Sequence, residues 1–234
     1  MKNNIQDKTK LVNSVFSKVY KKYDLMNDVM SLGIHRIWKD KYINWLNPSP
    51  NSNLIDVASG TGDIAKLFSN YIGHSAKITC VEPNNEMFEE GKKNLKRYKN
   101  IEWIKAAAEV LPIKDNSFDY YTISYGIRNV SDINKALKEA YRVLKTGGRF
   151  MCLEFSKIDN EALNFLYKQY SKIIPLAGKY IVGSSKPYDY LVESIDSFYN
   201  QKQLCDLMIK NGFSNVEYRN LSNGISAIHS GWKI

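Results

Sequence analysis

Two carboxylates, Asp56 and Asp63, bracket a turn that carries glycines at 60 and 62. The segment reads Leu54-Ile55-Asp56-Val57-Ala58-Ser59-Gly60-Thr61-Gly62-Asp63, and Ile64, Ala65, Leu67 and Phe68 follow in a helical stretch. Strand, glycine turn and helix together bring backbone amides up against a nucleotide-like cofactor. Gly60-Thr61-Gly62-Asp63-Ile64-Ala65 also satisfies G-x-G-x-x-A, the dinucleotide fingerprint, so the glycines alone leave the cofactor open. The carboxylates narrow the choice. A pyrophosphate needs the positive end of the following helix to itself, and two acids beside it would repel it. Beside a sulfonium that also carries an ammonium group, the same acids attract. The loop therefore reads as a site for S-adenosylmethionine (SAM) rather than NAD. The plain alternatives are that Asp63 caps the helix and that Asp56 satisfies loop amides.

Other candidate residues lie where further strands should end. Glu82 closes an apolar run about 20 residues after the turn, the spacing at which an acid meets ribose hydroxyls. Ala107, Ala108 and Glu109 follow a third run, where an adenine edge would be met. Ser124-Tyr125-Gly126-Ile127-Arg128-Asn129 follows a fourth, beside the expected position of a transferable methyl. An arginine and an asparagine at the end of an apolar strand are costly to bury without partners, which argues for a cleft. No His, Asp, Glu or Cys cluster has ligand spacing, so no metal is expected. His229 reads as structural, and His35 belongs to an N-terminal segment able to approach the cleft.

The elements that must position these residues alternate. Strands are expected over 77–82, 101–106, 118–124 and 149–155, and helices over 84–98 and 132–144. Repeated βα units of this length imply a parallel sheet with helices on both faces. A helix near 201–211 and strands over 215–221 and 225–230 complete the chain, and Ser222-Asn223-Gly224 makes the last pair a hairpin. The expected fold is α/β and Rossmann-like: a seven-stranded, mostly parallel sheet ending in an antiparallel hairpin, the Class I methyltransferase arrangement. The domain scheme is a single unit: an N-terminal helical lid (1–48), a SAM-binding core (49–156), a helical cap insertion (157–200), and the last helix with the hairpin (201–234).

The 234 residues suit one α/β domain with a full core. Cys80, Cys152 and Cys205 are far apart in apolar contexts and read as buried thiols in a reducing compartment. The N-terminus has no apolar core of the signal-peptide kind, and no stretch approaches the roughly 20 apolar residues of a spanning helix, so a cytoplasmic protein is expected. The net charge of +9 arises mostly from scattered lysines. It reads as a solvated surface first, attraction to an anionic membrane second, and nucleic acid last.

The chain resembles the ubiquinone/menaquinone biosynthesis C-methyltransferase family over nearly its whole length. The resemblance is carried by Phe16-Ser17-Lys18-Val19-Tyr20 through Asp28, by His35-Arg36 and Trp38-Lys39, and by the glycine loop. It continues through Gly126-Ile127-Arg128-Asn129, Tyr141-Arg142-Val143-Leu144, Leu153-Glu154-Phe155-Ser156, Tyr190-Leu191 with Ser194-Ile195, and Gly231-Trp232-Lys233. The glycine loop is common to SAM enzymes of this fold, whereas the terminal and Gly-Ile-Arg-Asn segments are family-specific. By the resemblance, Thr61, Glu82, Ala107, Ala108 and Ser124 occupy SAM-contacting positions. Ala107 stands where the family commonly has Asn, which removes one side-chain contact, and Glu109 is a candidate to compensate. Ser59 stands where Gly is common.

The implied reaction is methyl transfer from SAM to a ring carbon of a polyprenylated quinol. Such a carbon becomes nucleophilic once a neighbouring hydroxyl loses its proton. Arg128 is suited to stabilising the phenolate or orienting a water, while an unshifted arginine is not itself the base. Asn129 and Tyr23 are candidates to bond the quinol oxygens. Residues 11–23 place Leu11, Val15, Phe16 and Val19 along one face, and Phe165, Tyr167, Tyr170, Ile173, Ile174 and Tyr180 could line a channel for a prenyl tail. The partners implied are the quinol, weak peripheral attachment to an anionic inner membrane, a quinone-biosynthesis enzyme complex and a homodimer; nucleic acid is not expected. The rival readings are a SAM enzyme acting on another small molecule or RNA, and a non-catalytic SAM-fold subunit.

Overall fold

The apolar runs become β1 (Leu54–Val57), β2 (Ile78–Val81), β3 (Ile101–Ile104), β4 (Phe118–Ser124) and β5 (Leu144–Phe155), followed by β6 (Ser214–Leu221) and β7 (Ser226–Trp232). The computed structural model describes residues 28, 31, 33–73, 76–158, 160, 161, 164–167, 169, 170 and 186–234. It joins the strands in one sheet of order β3-β2-β1-β4-β5-β7-β6. The first five strands run parallel, and β7 lies antiparallel between β5 and β6. This is the expected mixed sheet with its closing hairpin. Strand order reverses between β1 and β4, the place at which a sheet of this kind opens a crevice for ligands.

Every residue of β1 and β2 is buried, because helices cover both faces. On one face α1 (His35–Leu46) and α2 (Asp63–Tyr71) pack Trp38, Tyr42, Leu46 and Phe68 with Leu54, Ile78 and Met151. On the other, α4 (Ile133–Val143) and α6 (Gln201–Lys210) pack Leu137, Val143, Leu204 and Met208 with Ile55, Tyr121 and Phe150. Alternate residues along a strand thus serve opposite cores. Between these helices in sequence lie α3 (Asn85–Asn94) and α5 (Lys186–Ser197).

Several boundaries differ from expectation for packing reasons. α3 ends at Asn94, not 98, because Leu95 turns inward as the C-cap, its N–H donating to Gly91 O. A Cβ on Gly62 would lie 2.4 Å from Leu95 Cδ1, so this leucine supports the glycine turn from below. The hairpin connection is a 3₁₀ turn over Ser222–Gly224, with Asn223 left-handed at φ 55°. The described part of the N-terminal segment, α1, is a core helix. Tyr42 is fully buried, and its hydroxyl donates to Met151 O at 2.7 Å. Tyr23, the face over 11–23, and Ile173, Ile174 and Tyr180 lie outside the described residues.

Candidate active site

β1 and β4 end side by side, with Asp56 paired in register with Thr122. Each chain then leaves its strand through a left-handed residue other than glycine, Ala58 at φ 53° and Tyr125 at φ 54°. Such residues cost on the order of 1 kcal/mol each and persist where their surroundings enforce them. Here the enforcement is contact between the two loops. A Cβ on Gly126 would lie 2.5 Å from Ala58 Cβ, so the β4 loop approaches this closely only with glycine at 126.

Asp56 is fully buried, and its Oδ1 accepts from Thr122 Oγ1 at 2.8 Å. It bonds no loop amide, and its Oδ2 has no partner among the described residues. Burial pushes its carboxyl up to about 7. The loop is held instead by Ser59, whose hydroxyl donates to Asp56 O and accepts from Val81 N, and by Glu82. Glu82 is buried and accepts from Gly60 N at one oxygen and from Asn84 N at the other, both at 2.9 Å. Its carboxyl is likewise raised to about 7 by burial. Each oxygen keeps a second lone pair, so anchoring the loop and receiving ribose hydroxyls are compatible.

Asp63 is the first residue of α2 and makes no capping bond; the N-cap is left-handed Gly62 at φ 90°. Its Oδ2 pairs with Lys39 Nζ at 2.6 Å. Burial raises this carboxyl, but the Lys39 ammonium outweighs it and holds the group below the usual carboxylate range. Lys39, Asp56, Ser59, Gly60, Thr61, Asp63, Ser124 and Tyr125 line one pocket. Ser124 Oγ is buried there without a partner among the described residues, as is Asp56 Oδ2. Buried polar atoms left unpaired are costly. Two in one pocket, beside a glycine turn and a raised carboxyl, fit a polar, cationic ligand such as SAM.

Beyond the turn, Ala107 is exposed and Ala108 is buried among core residues. Glu109 points its Oε1 at the amides of Ser131 and Asp132, where α4 begins, and so serves the β4–α4 connection. Arg128 lies in a 3₁₀ turn, Ile127–Asn129, directly after β4. The residue is 5 % exposed, and its guanidinium donates to Tyr125 O at 2.9 Å and to Glu154 Oε1 at 2.5 Å. Both side chains of that ion pair are buried. Glu154 also accepts from Phe155 N, and burial raises its carboxyl against the lowering pull of Arg128. Asn129 is half-buried and accepts from the Tyr190 hydroxyl at 2.9 Å, which ties the turn to α5.

Four residues without an assigned role in the sequence reading thus belong to the site: Lys39, Thr122, Glu154 and Tyr190. Glu154 carried a usable signal, since a lone acid ending an apolar strand beside a lone arginine ending its neighbour invites pairing. Lys39 carried none beyond the family motif, and Thr122 carried none at all. His229 Nε2 donates to Gln201 O at 3.0 Å, and burial lowers its imidazole to about 4. His35 is buried on α1 and bonds Asp28 at 2.9 Å. Among the described residues no group of three His, Cys, Asp or Glu is arranged to hold a metal ion.

A seven-stranded sheet of this order, with a glycine turn after β1 and an acid closing β2, is the fold of the Class I SAM-dependent methyltransferases. Solved structures agree at the level of fold. A SAM-dependent methyltransferase from Thermotoga maritima, described as a possible histamine N-methyltransferase, matches with TM-score 0.66 at 24 % identity, covering 94 % of this chain and 99 % of that one. A SAM-dependent methyltransferase from Aquifex aeolicus matches with TM-score 0.62 at 15 % identity, covering 84 % and 89 %. Within that class the chain belongs to the ubiE/COQ5 methyltransferase family, whose model matches residues 2–233. The ubiquinone/menaquinone biosynthesis C-methyltransferase UbiE of Rickettsia bellii is 52 % identical over 97 % of this chain and 94 % of its own length. That of Brucella suis is 50 % identical over 97 % and 87 %.

Proposed function

We propose that the chain methylates a ring carbon of a polyprenylated quinol, 2-polyprenyl-6-methoxy-1,4-benzoquinol or demethylmenaquinol, with SAM as donor. One observation carries the reading. In a chain of this family, the pocket with the orphaned Asp56 Oδ2 and Ser124 Oγ adjoins the β4 turn that bears Arg128 and Asn129.

SAM supplies an electrophilic methyl on a sulfonium when bound. Asp56, Ser59, Gly60, Thr61, Gly62, Asp63, Glu82, Ala107, Ala108 and Ser124 form its binding set in this reading. Asp56 places negative charge in the pocket once ionised, and Glu82 fixes the turn while offering its remaining lone pairs. On the acceptor side, Asn129 and the Tyr190 hydroxyl bonded to it frame the quinol oxygens, with Tyr23 as a further partner from the N-terminal segment. Arg128 is aligned by Glu154 and the Tyr125 carbonyl. Its positive charge next to the framed oxygens favours loss of the hydroxyl proton to water, which moves electron density onto the ring carbon.

The test is methyl transfer by the purified chain to short-chain methoxy-benzoquinol and to demethylnaphthoquinol, alongside the lipid quinones of a deletion strain and its complemented counterpart. A methylated quinol in vitro and restored quinones in the complemented strain are expected. Failure with both acceptors, in protein that binds the donor, overturns the reading.

No helix among the described residues is long and apolar enough to cross a membrane. The excess of 33 Lys and Arg over 24 Asp and Glu supports peripheral contact with anionic lipid, where prenylated substrates reside. Sedimentation with phosphatidylglycerol vesicles should retain the chain at low salt and release it near 0.5 M NaCl, since a roughly 10 Å screening length at 0.1 M shortens further there. No binding at low salt would remove this part of the proposal.

A further inference from the structure

Lys39 is a buried cation contributed to the glycine-turn pocket by α1, whereas the other lining residues belong to β1, β4, the turns that follow them and the start of α2. Its side chain is 8 % exposed, and Asp63 is its ion-pair partner. An ammonium has three N–H donors, and one carboxylate oxygen does not exhaust them. Desolvating an ammonium is expensive, and Asp63, whose side chain is 43 % exposed, repays it only in part. The helix that carries Lys39 is fixed by its own core packing through Trp38 and Tyr42, so the lysine is held in the pocket and does not drape over it.

The pocket's charges show what such a lysine meets. Among the described residues lining it, Lys39 is the one cation, facing the two acids Asp56 and Asp63. The amino-acid end of the methyl donor carries an ammonium and a carboxylate on the same carbon. Two acids match its ammonium and sulfonium but repel its carboxylate. A single lysine paired with one of those acids supplies the opposite charge at the same place. We propose that Lys39 is a specificity-determining residue for the donor: with Asp63 it forms a zwitterion cradle, Lys39 binding the α-carboxylate and Asp63 the α-ammonium. This rests on the SAM reading above and adds to it a requirement for the carboxylate.

The experiment compares calorimetric binding of S-adenosylhomocysteine with that of the same molecule lacking its carboxylate. The proteins are the native chain, Lys39→Met and Lys39→Arg. A charge-assisted contact of this kind is worth about 10- to 100-fold in affinity. The native chain should prefer the carboxylate-bearing ligand by that factor. Lys39→Met should lose the preference by weakening that ligand alone, and Lys39→Arg should regain most of it. Equal weakening of both ligands by Lys39→Met assigns Lys39 a structural role and overturns the proposal. So does a native chain that binds both ligands equally, a result that needs no variant to fold. A native chain that binds neither overturns the SAM reading itself, which keeps the two failures distinct.

Discussion

Replacing Arg128 by Ala should destabilise the fold by about 3–5 kcal/mol, far more than loss of a surface charge, because Glu154 would be left buried and unpaired. Its Oε1 now receives both the Arg128 guanidinium and the Phe155 amide, and both side chains of the ion pair are 1 % exposed. The loss should also depend on pH in a definite direction. Burial already raises the Glu154 carboxyl, and Arg128 is the main force lowering it. Without the arginine, the folded-state value climbs further above the unfolded one, so the native state holds this proton more tightly. Stability of the variant then falls, relative to the native chain, as pH rises from about 4.5 through that folded value. The deficit narrows as pH is lowered. Urea titrations at pH 5, 6.5 and 8 measure it. The double variant Arg128→Met/Glu154→Leu should recover most of the stability, since a buried pair replaced by apolar residues of similar size is often neutral. It should still lack methyl transfer, while Arg128→Lys should fold and turn over slowly for want of the planar fork. A deficit below 1 kcal/mol in Arg128→Ala, or an active double variant, would refute this account of the pair.

That pair also marks where the sequence stops speaking. Strands β1 to β4 and the end of β5 from Phe150 were legible as short, largely apolar runs closed by turn residues, and Ser222-Asn223-Gly224 announced the hairpin that pairs the polar β6 with β7. The cofactor turn was legible because glycine is required where φ is positive and an adjoining Leu95 leaves no room for a side chain at 62. What could not be read is which group neutralises which. Charge alone points Asp63 at the donor's positive end, yet its partner in the structure is Lys39, brought by a helix 24 positions earlier. The sequence offers Asp56 loop amides as the plain alternative, and the structure gives it Thr122 from the neighbouring strand, in register but 66 positions away. Glu109, a candidate to compensate for Ala107, instead serves amides at the start of α4. Each of these is a tertiary pairing, and residue type and spacing constrain such pairings only through the sheet order. Once β4 and β5 are known to be neighbours, Arg128 and Glu154 become a foreseeable pair; before that they are two unrelated charges.

Binding of the methyl donor should release protons and tighten as pH rises. Asp56 and Glu82 both titrate near 7 in the ligand-free chain, for the same reason: burial removes the water that would stabilise the charged form. At pH 6 most of each population is therefore protonated. A bound sulfonium favours the ionised carboxyl, so the value in the complex must fall and the proton must leave. Affinity should rise about tenfold between pH 5.5 and 7 for each carboxyl that ionises on binding, and level off above. Titrations in buffers of unlike ionisation enthalpy count the protons directly. S-adenosylhomocysteine lacks the sulfonium charge and should show a shallower dependence than SAM. The same groups make a second, opposite demand on the ligand-free chain. Their folded values lie above the ordinary 3.8 and 4.5, so the stability they contribute is present at low pH and lost as pH rises through about 7. Each costs the ligand-free fold about 1.4 kcal/mol per pH unit across that window. Asp56→Asn removes one titration without removing volume. It should therefore flatten the stability profile and, through the lost charge, weaken SAM more than S-adenosylhomocysteine. Equal weakening of the two ligands, or donor binding that takes up no fewer protons at pH 6 than at pH 8, would show that Asp56 is a scaffold for Thr122 and not part of the donor's electrostatic seat.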